Sequence, residues 1–374
     1  MRARLALLSG RFPYSPFQVF RLARQEGNAT TFCMLYIFAE YVRPQAIYLW
    51  LSFAPWARIF LVSAALSFLL ETKRNSKLGW PAMFVVLLAI QITASTLLAY
   101  NYDAAEKQYF DAVSWLLVYF ILSSILVNAE RLWVALYAFM LSCAKISIFC
   151  AYVWAARGFS FASWGVAGPP GYFQNSGELA LLMAMVFCMS VSLCVSQKAA
   201  LSKWRFRLLC LIPVSAAMTV LASSSRGSQL GFAVGMGWLF VSYRGLSFRN
   251  LITSAIVLVV TYLLLPAEQV ERFVSSGSDE TSVSRISYWN AAVDMLNRYP
   301  YFGVGHANFP VYYHDFLRDS GALRAGLEMA HNSYLQVGAE LGYPGLLIFL
   351  LIIVASFSIT RRVRGDAGAA LRNG

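Results

Sequence analysis

Three side chains suited to phosphate binding or proton transfer stand among polar, turn-forming residues in an otherwise apolar chain. They are Arg226 in Ser223-Ser224-Ser225-Arg226-Gly227, Arg285 four residues before Trp289, and His331 in His331-Asn332-Ser333-Tyr334. A guanidinium presents a planar fork of donors that matches phosphate oxygens. An imidazole changes charge near neutral pH and can take a proton from a hydroxyl. Each residue also has a plainer reading. Arg226 can snorkel to lipid headgroups, Arg285 can be a solvated surface charge, and His331 can be an ordinary interfacial residue. The spacing places Arg285 at the start of a helix, where the dipole prefers anions; a bound phosphate would relieve that conflict.

Other chemistries lack their residues. There is no P-loop, and Gly303-Val304-Gly305 lacks the third glycine and the strand–helix setting of a dinucleotide site. No Asp-x-Asp pair is present, and His306, His314 and His331 do not share a helical face, which argues against a zinc site. The expectation is chemistry with no metal and no cofactor, acting on a substrate that arrives activated.

The elements that must position these residues are membrane helices. The chain of 374 residues is 59% hydrophobic and 13% charged, too little polar surface for a soluble domain of this length. About 20 apolar residues cross a bilayer, and hydropathy predicts ten spans, near 29–42, 50–70, 80–99, 111–128, 132–156, 178–196, 208–223, 228–243, 251–266 and 333–360. The fold class expected is therefore all-α and polytopic, with short amphipathic helices in one large periplasmic loop. The net charge of +12 is not a nucleic-acid signature, because nineteen of the thirty basic residues fall on one side of the ten-span arrangement. That side is cytoplasmic by the positive-inside rule, its basic residues contact anionic membrane lipid, and both termini lie inside. The expected divisions are a cytoplasmic segment 1–28, nine spans over 29–266, the loop 267–332, a tenth span 333–360 and a basic tail 361–374.

The loop 267–332 holds all three histidines, five arginines and eight acidic residues. Within it Trp289, Ala292, Val293 and Leu296 recur at helical spacing until Pro300 ends the pattern. This predicts a helix on the membrane surface or over a cavity. The six cysteines all fall in predicted spans and are expected to be unpaired packing residues. Lys145 lies in mid-span, where a partner or a polar cavity is expected; Glu178 can pair with it, although their depths differ.

Taken in order, several segments resemble the O-antigen ligase and polymerase superfamily of bacterial envelope glycosyltransferases. They are Tyr172–Asn175, Ser225-Arg226-Gly227, Arg285 with Trp289, Pro300 through Gly305, Asn308-Phe309, His331-Asn332-Ser333-Tyr334-Leu335 and Glu340-Leu341-Gly342. Glu40-Tyr41-Val42-Arg43-Pro44-Gln45 also resembles the opening of many members. The step Asn175-Ser176-Gly177 departs from the more usual Asn-Pro-Asn, and relatives usually carry further helices after the tenth. The resemblance implies a metal-independent enzyme of the bacterial inner membrane, with its site on the periplasmic face and an undecaprenyl-diphosphate-linked glycan as donor. It also implies an active site of two arginines and one histidine, which carry over to Arg226, Arg285 and His331; Asn332, Asn175 and Trp289 are candidate substrate contacts. The acceptor can be a lipid A-core sugar (O-antigen ligation), another lipid-linked glycan (polymerisation) or a protein hydroxyl. A transporter of lipid-linked sugars or small solutes is the reading from another class.

Overall fold

The computed structural model describes residues 16–71, 79–160, 165–170, 173–199, 201–223, 225–244, 252, 256, 280–320 and 328–372. These residues are helical and carry no strand; their one β-bridge joins Gly165 to Ser223. The helices are α1 (Pro16–Glu26), α2 (Asn28–Val42), α3 (Trp56–Leu69), α4 (Pro81–Leu97), α5 (Tyr102–Ile125) and α6 (Ala129–Ala156). They continue with α7 (Ser176–Gln197), α8 (Lys203–Leu221), α9 (Arg226–Arg244), α10 (Glu280–Arg298), α11 (Phe309–Ser320) and α12 (Ser333–Arg372). Five of them, α5, α6, α7, α8 and the Ser333–Arg361 part of α12, are long and apolar enough to cross a membrane, and α3 and α4 are shorter apolar helices. Helices suit this solvent because they satisfy their backbone polar groups internally. The expected span 251–266 lies almost wholly outside the described residues, as do 1–15, 267–279 and 321–327.

The chain divides into two compact units, 1–75 with 125–274 and 76–124 with 275–374. In the first, α6 packs against α1, α2 and α8, while α7 lies between α8 and α9. Buried hydroxyls join α6 to α8: Ser147 and Ser215 Oγ atoms are 2.8 Å apart, and Thr219 donates to the Ser147 carbonyl at 3.2 Å. Such bonds compensate for the absence of a hydrophobic drive between helices in lipid. Helix α1, inside the segment expected to be a plain cytoplasmic leader, is amphipathic and buries Val19 and Ala23. Arg131, at the start of α6, ties the ends of α1 and α3 together. Its guanidinium donates to the Glu26 carbonyl at 3.0 Å and to both Glu71 carboxylate oxygens at 3.0 Å. The six cysteines are free thiols, with Cys194 and Cys210 sulfurs 4.0 Å apart.

The second unit is built around a break in α12. At Gly342 the backbone turns to φ 70° and ψ −175°, and Pro344 follows. Pro344 has no N–H, so the Glu340 carbonyl loses its helical donor; Ser95 of α4 replaces it at 2.7 Å. Gln91 of α4 donates to the Leu341 carbonyl at 2.7 Å and to that of Tyr301 at 2.8 Å. The loop after α10 completes the exchange. Val304 N–H takes the Ala339 carbonyl at 2.8 Å, and Tyr343 N–H turns to the Pro300 carbonyl at 2.8 Å. Pro300–Gly305 and Glu340-Leu341-Gly342, read as separate motifs in the sequence, are thus two halves of one backbone joint. A Cβ on Gly303 would stand 2.3 Å from the Glu340 carbonyl carbon, so only glycine fits there. Asn308 fastens the same loop to the residue before α5, accepting from Asn101 N–H at 2.7 Å and donating to the Asn101 carbonyl at 3.1 Å.

Candidate functional site

In the first unit two candidate segments meet. Asn175 is the N-cap of α7, its side-chain oxygen accepting the Gly177 N–H at 2.8 Å. This bond satisfies one of the free N–H groups of the first turn. Ser228 Oγ donates to the Gly177 carbonyl at 2.9 Å, and Ser225 Oγ lies 2.9 Å from Ser228 Oγ and accepts the Ser228 N–H at 3.3 Å. Ser225 therefore caps α9, and Arg226, half-buried, is the first residue of that helix. The coincidence of an arginine with a helix N-terminus, expected at Arg285, is found at Arg226. Glu178 lies in the first turn of α7, where the dipole favours an anion. Among the described residues it forms no ion pair with Lys145, which is exposed on α6, so that pairing is not made.

In the second unit Tyr288 and Trp289 meet the Ala330–His331 segment, and Arg285 stands one turn earlier on the same helix. Helix α10 begins at Glu280, so Arg285 stands in its second turn rather than at its start. The dipole effect fades within the first turn, and the expected helix-end conflict is removed without a phosphate. Arg285 is exposed, on the same face as Tyr288 and Trp289 three and four residues on. The face of α10 that is buried runs through Tyr288, Ala291, Ala292, Met295 and Leu296. Val293, expected in the apolar stripe, is 42% exposed, because the stripe is rotated toward the Tyr288–Met295 side where Phe309, Tyr312 and Tyr313 pack.

His331 lies between α10 and the start of α12. Its φ is +50°, a left-handed conformation that costs a non-glycine residue on the order of 1 kcal/mol. Flanking bonds hold it there. On one side the buried Ala330 donates its N–H to Gln336 Oε1 at 2.8 Å and accepts Trp289 Nε1–H on its carbonyl at 3.0 Å. On the other, Asn332 caps α12, its Oδ1 accepting the N–H groups of Tyr334 at 3.1 Å and Leu335 at 3.3 Å. The capping bonds and the Trp289 bond give two expected substrate contacts a structural duty. The His331 ring is tilted against that of Tyr288, centroids 6.1 Å apart, and Tyr288 meets Tyr313 edge-on at 5.0 Å. His331 Nε2 lies 3.7 Å from Glu328 Oε2, ion-pair range for an imidazolium, with both side chains about half-exposed. Burial, reinforced by the Glu328 charge, pushes the Tyr288 phenol above its ordinary value, so it stays protonated at neutral pH.

The other two histidines stand apart in kind. His314 faces Asp315 at 3.4 Å on an exposed surface. His306 is held below the ordinary histidine value by burial, against a hydrogen bond to the Gln108 backbone that acts the other way. Among the described residues no three metal-ligating side chains converge. Sequence reasoning assigned no role to Glu328, Gln336 or Glu340. The i to i+4 spacing of Gln336 and Glu340 at the start of a span was the available signal, since polar residues there need partners.

Residues 208–350 match the family model described as O-antigen ligase. No curated protein matches the chain. The matched segment contains Arg226, Arg285, Trp289, His331 and Asn332 and the whole joint between Pro300–Gly305 and Gly342, while Asn175 lies before it. With its membrane-length helices, the chain is a membrane protein that carries a segment matching the O-antigen ligase family over residues 208–350.

Proposed function

We propose that this protein moves a glycan from undecaprenyl diphosphate to an acceptor hydroxyl at the periplasmic face of the bacterial inner membrane. The acceptor oxygen attacks the anomeric carbon of the lipid-linked sugar. The bond from that carbon to the phosphate oxygen breaks, undecaprenyl diphosphate leaves, and the single displacement inverts the centre. His331 takes the acceptor's proton on its ring. Glu328 faces Nε2 of that ring and stabilises the imidazolium that results. Arg226 and Arg285 are the proposed phosphate ligands, countering the charge that develops on the departing oxygen. The phosphodiester supplies the driving force, so the reaction needs no nucleotide. For the acceptor we propose a lipid A-core sugar.

The observation that carries this reading is His331 itself. It is a half-exposed histidine held in a left-handed conformation, beside a carboxylate and against the Tyr288 ring, inside an O-antigen ligase segment. Strained conformations of this kind persist where the surroundings over-determine them, and they cluster at working sites. The test is transfer by purified protein in detergent, with lipid-diphosphate glycan and lipid A-core and no nucleotide added. His331→Gln should reduce transfer by about 10² to 10⁴ while the variant still binds donor. Transfer at the wild-type rate by His331→Gln would remove the base from the mechanism. Glycan flux into sealed vesicles without transfer would make the protein a transporter.

A further inference from the structure

His331 is set by a hydrogen-bonded chain that starts at a buried carboxylate. Glu340, 8% exposed, accepts the N–H groups of Ala307 at 3.1 Å and Phe309 at 3.3 Å, and the Gln336 carboxamide at 2.5 Å. Gln336 spends its donor on Glu340 and its acceptor on the Ala330 N–H. Ala330 is wholly buried, and its carbonyl is held by Trp289. Ala330, the residue before the histidine, is thereby held at both its N–H and its carbonyl, by one residue of α12 and one of α10.

We propose that Gln336 is a positioning residue, anchored by Glu340, that fixes the orientation of His331 through the backbone of Ala330; this rests on the role proposed for His331 above. The carboxamide is suited to the place because it offers, on separate atoms, an acceptor to Ala330 and a donor to a carboxylate. Alanine removes both. A glutamate would keep the acceptor but set two carboxylates against each other. The pair is reversible in principle. With the two side chains exchanged, a carboxylate at position 336 would accept from Ala330 and from a carboxamide at position 340. The remaining oxygen of that carboxamide would keep the Ala307 N–H, while the Phe309 N–H, which shares Glu340 Oε1 with Gln336, would lose its acceptor.

The experiment measures transfer and donor affinity for Gln336→Ala, Gln336→Glu, the exchanged pair Gln336→Glu with Glu340→Gln, and His331→Gln, each at equal amounts of inserted protein. Misplacing a reacting group by about an ångström costs on the order of 10²-fold. Gln336→Ala is therefore expected to lower kcat by about 10- to 100-fold and leave the donor KM within about twofold. Gln336→Glu should be at least as impaired, and the exchanged pair, which restores the bonds to Ala330 and between the two side chains but not the one to Phe309, should recover part of kcat. Should Gln336→Ala fail to insert, Gln336→Met keeps the volume without the amide and carries the same expectation. A wild-type kcat for Gln336→Ala or Gln336→Met, a loss confined to KM, or an exchanged pair no better than Gln336→Glu would overturn the proposal. His331→Gln separates the two failures. If it is inactive and Gln336→Ala is not, only the positioning role falls; if it transfers normally, the role of His331 falls and this inference with it.

Discussion

Replacing Gly303 by alanine tests the joint that holds the loop to α12. The added Cβ would lie 2.3 Å from the Glu340 carbonyl carbon, 2.4 Å from its oxygen and 2.5 Å from the Ala339 oxygen. All three are backbone atoms of a helix, so no side chain can swing aside, and the loop must retreat by about an ångström to restore ordinary contact. The φ of +69° adds about 1 kcal/mol for any residue with a Cβ. Overpacking of this kind costs about 1–3 kcal/mol, and losing the Val304–Ala339 hydrogen bond costs about 1 kcal/mol more. The sum is about 3–5 kcal/mol. Gly231 of α9 is the control, since a Cβ there meets nothing within 4 Å. Alanine in that helix interior should be neutral or stabilising by up to about 1 kcal/mol. Denaturant titration in detergent, followed by tryptophan fluorescence, reads both variants against the parent. An unchanged midpoint for Gly303→Ala would show that the loop does not seat on the broken helix as described.

Arg226→Lys and Arg285→Lys keep charge but lose the planar fork, so each should cut glycan transfer at least tenfold; near-normal rates in both at equal protein level would leave point charges only. His306 is neutral in the fold because burial holds it below its ordinary value of 6.5, so the unfolded chain binds its proton first as pH falls. Stability should therefore drop as pH is lowered below about 6.5, and His306→Phe should flatten that slope in a denaturation series; an unchanged slope would refute the linkage. A reporter fused after Ser320 should be active only outside the cytoplasm and one after Gly374 only inside; a cytoplasmic Ser320 fusion would reverse the orientation and move the site to the other face.

Hydropathy alone located most helices, because a bilayer leaves the backbone little choice but to satisfy its own hydrogen bonds. The expected spans 80–99, 132–156, 178–196 and 228–243 correspond to α4, α6, α7 and α9 with ends moved by a few residues. The start of α10 was missed because its first turn, Glu280-Thr281-Ser282-Val283, holds a single apolar residue and so shows no period. The acidic pair Asp279-Glu280 was the signal there, of the kind that favours a helix N-terminus. That correction moved the helix-end argument from Arg285 to Arg226. The sequence also singled out His331 and Asn332, since a histidine beside a capping residue where a polar loop meets an apolar run is a local pattern. What holds His331 is not local. Trp289 reaches Ala330 across 41 residues, and Glu340 reaches Ala307 and Phe309 across 33 and 31. Gln91 and Ser95 reach the broken turn of α12 from about 250 residues away. Hydrogen-bond partners at such separations are chosen by packing, not by periodicity, so composition and spacing could show that Gln336 and Glu340 needed partners but not which groups would supply them.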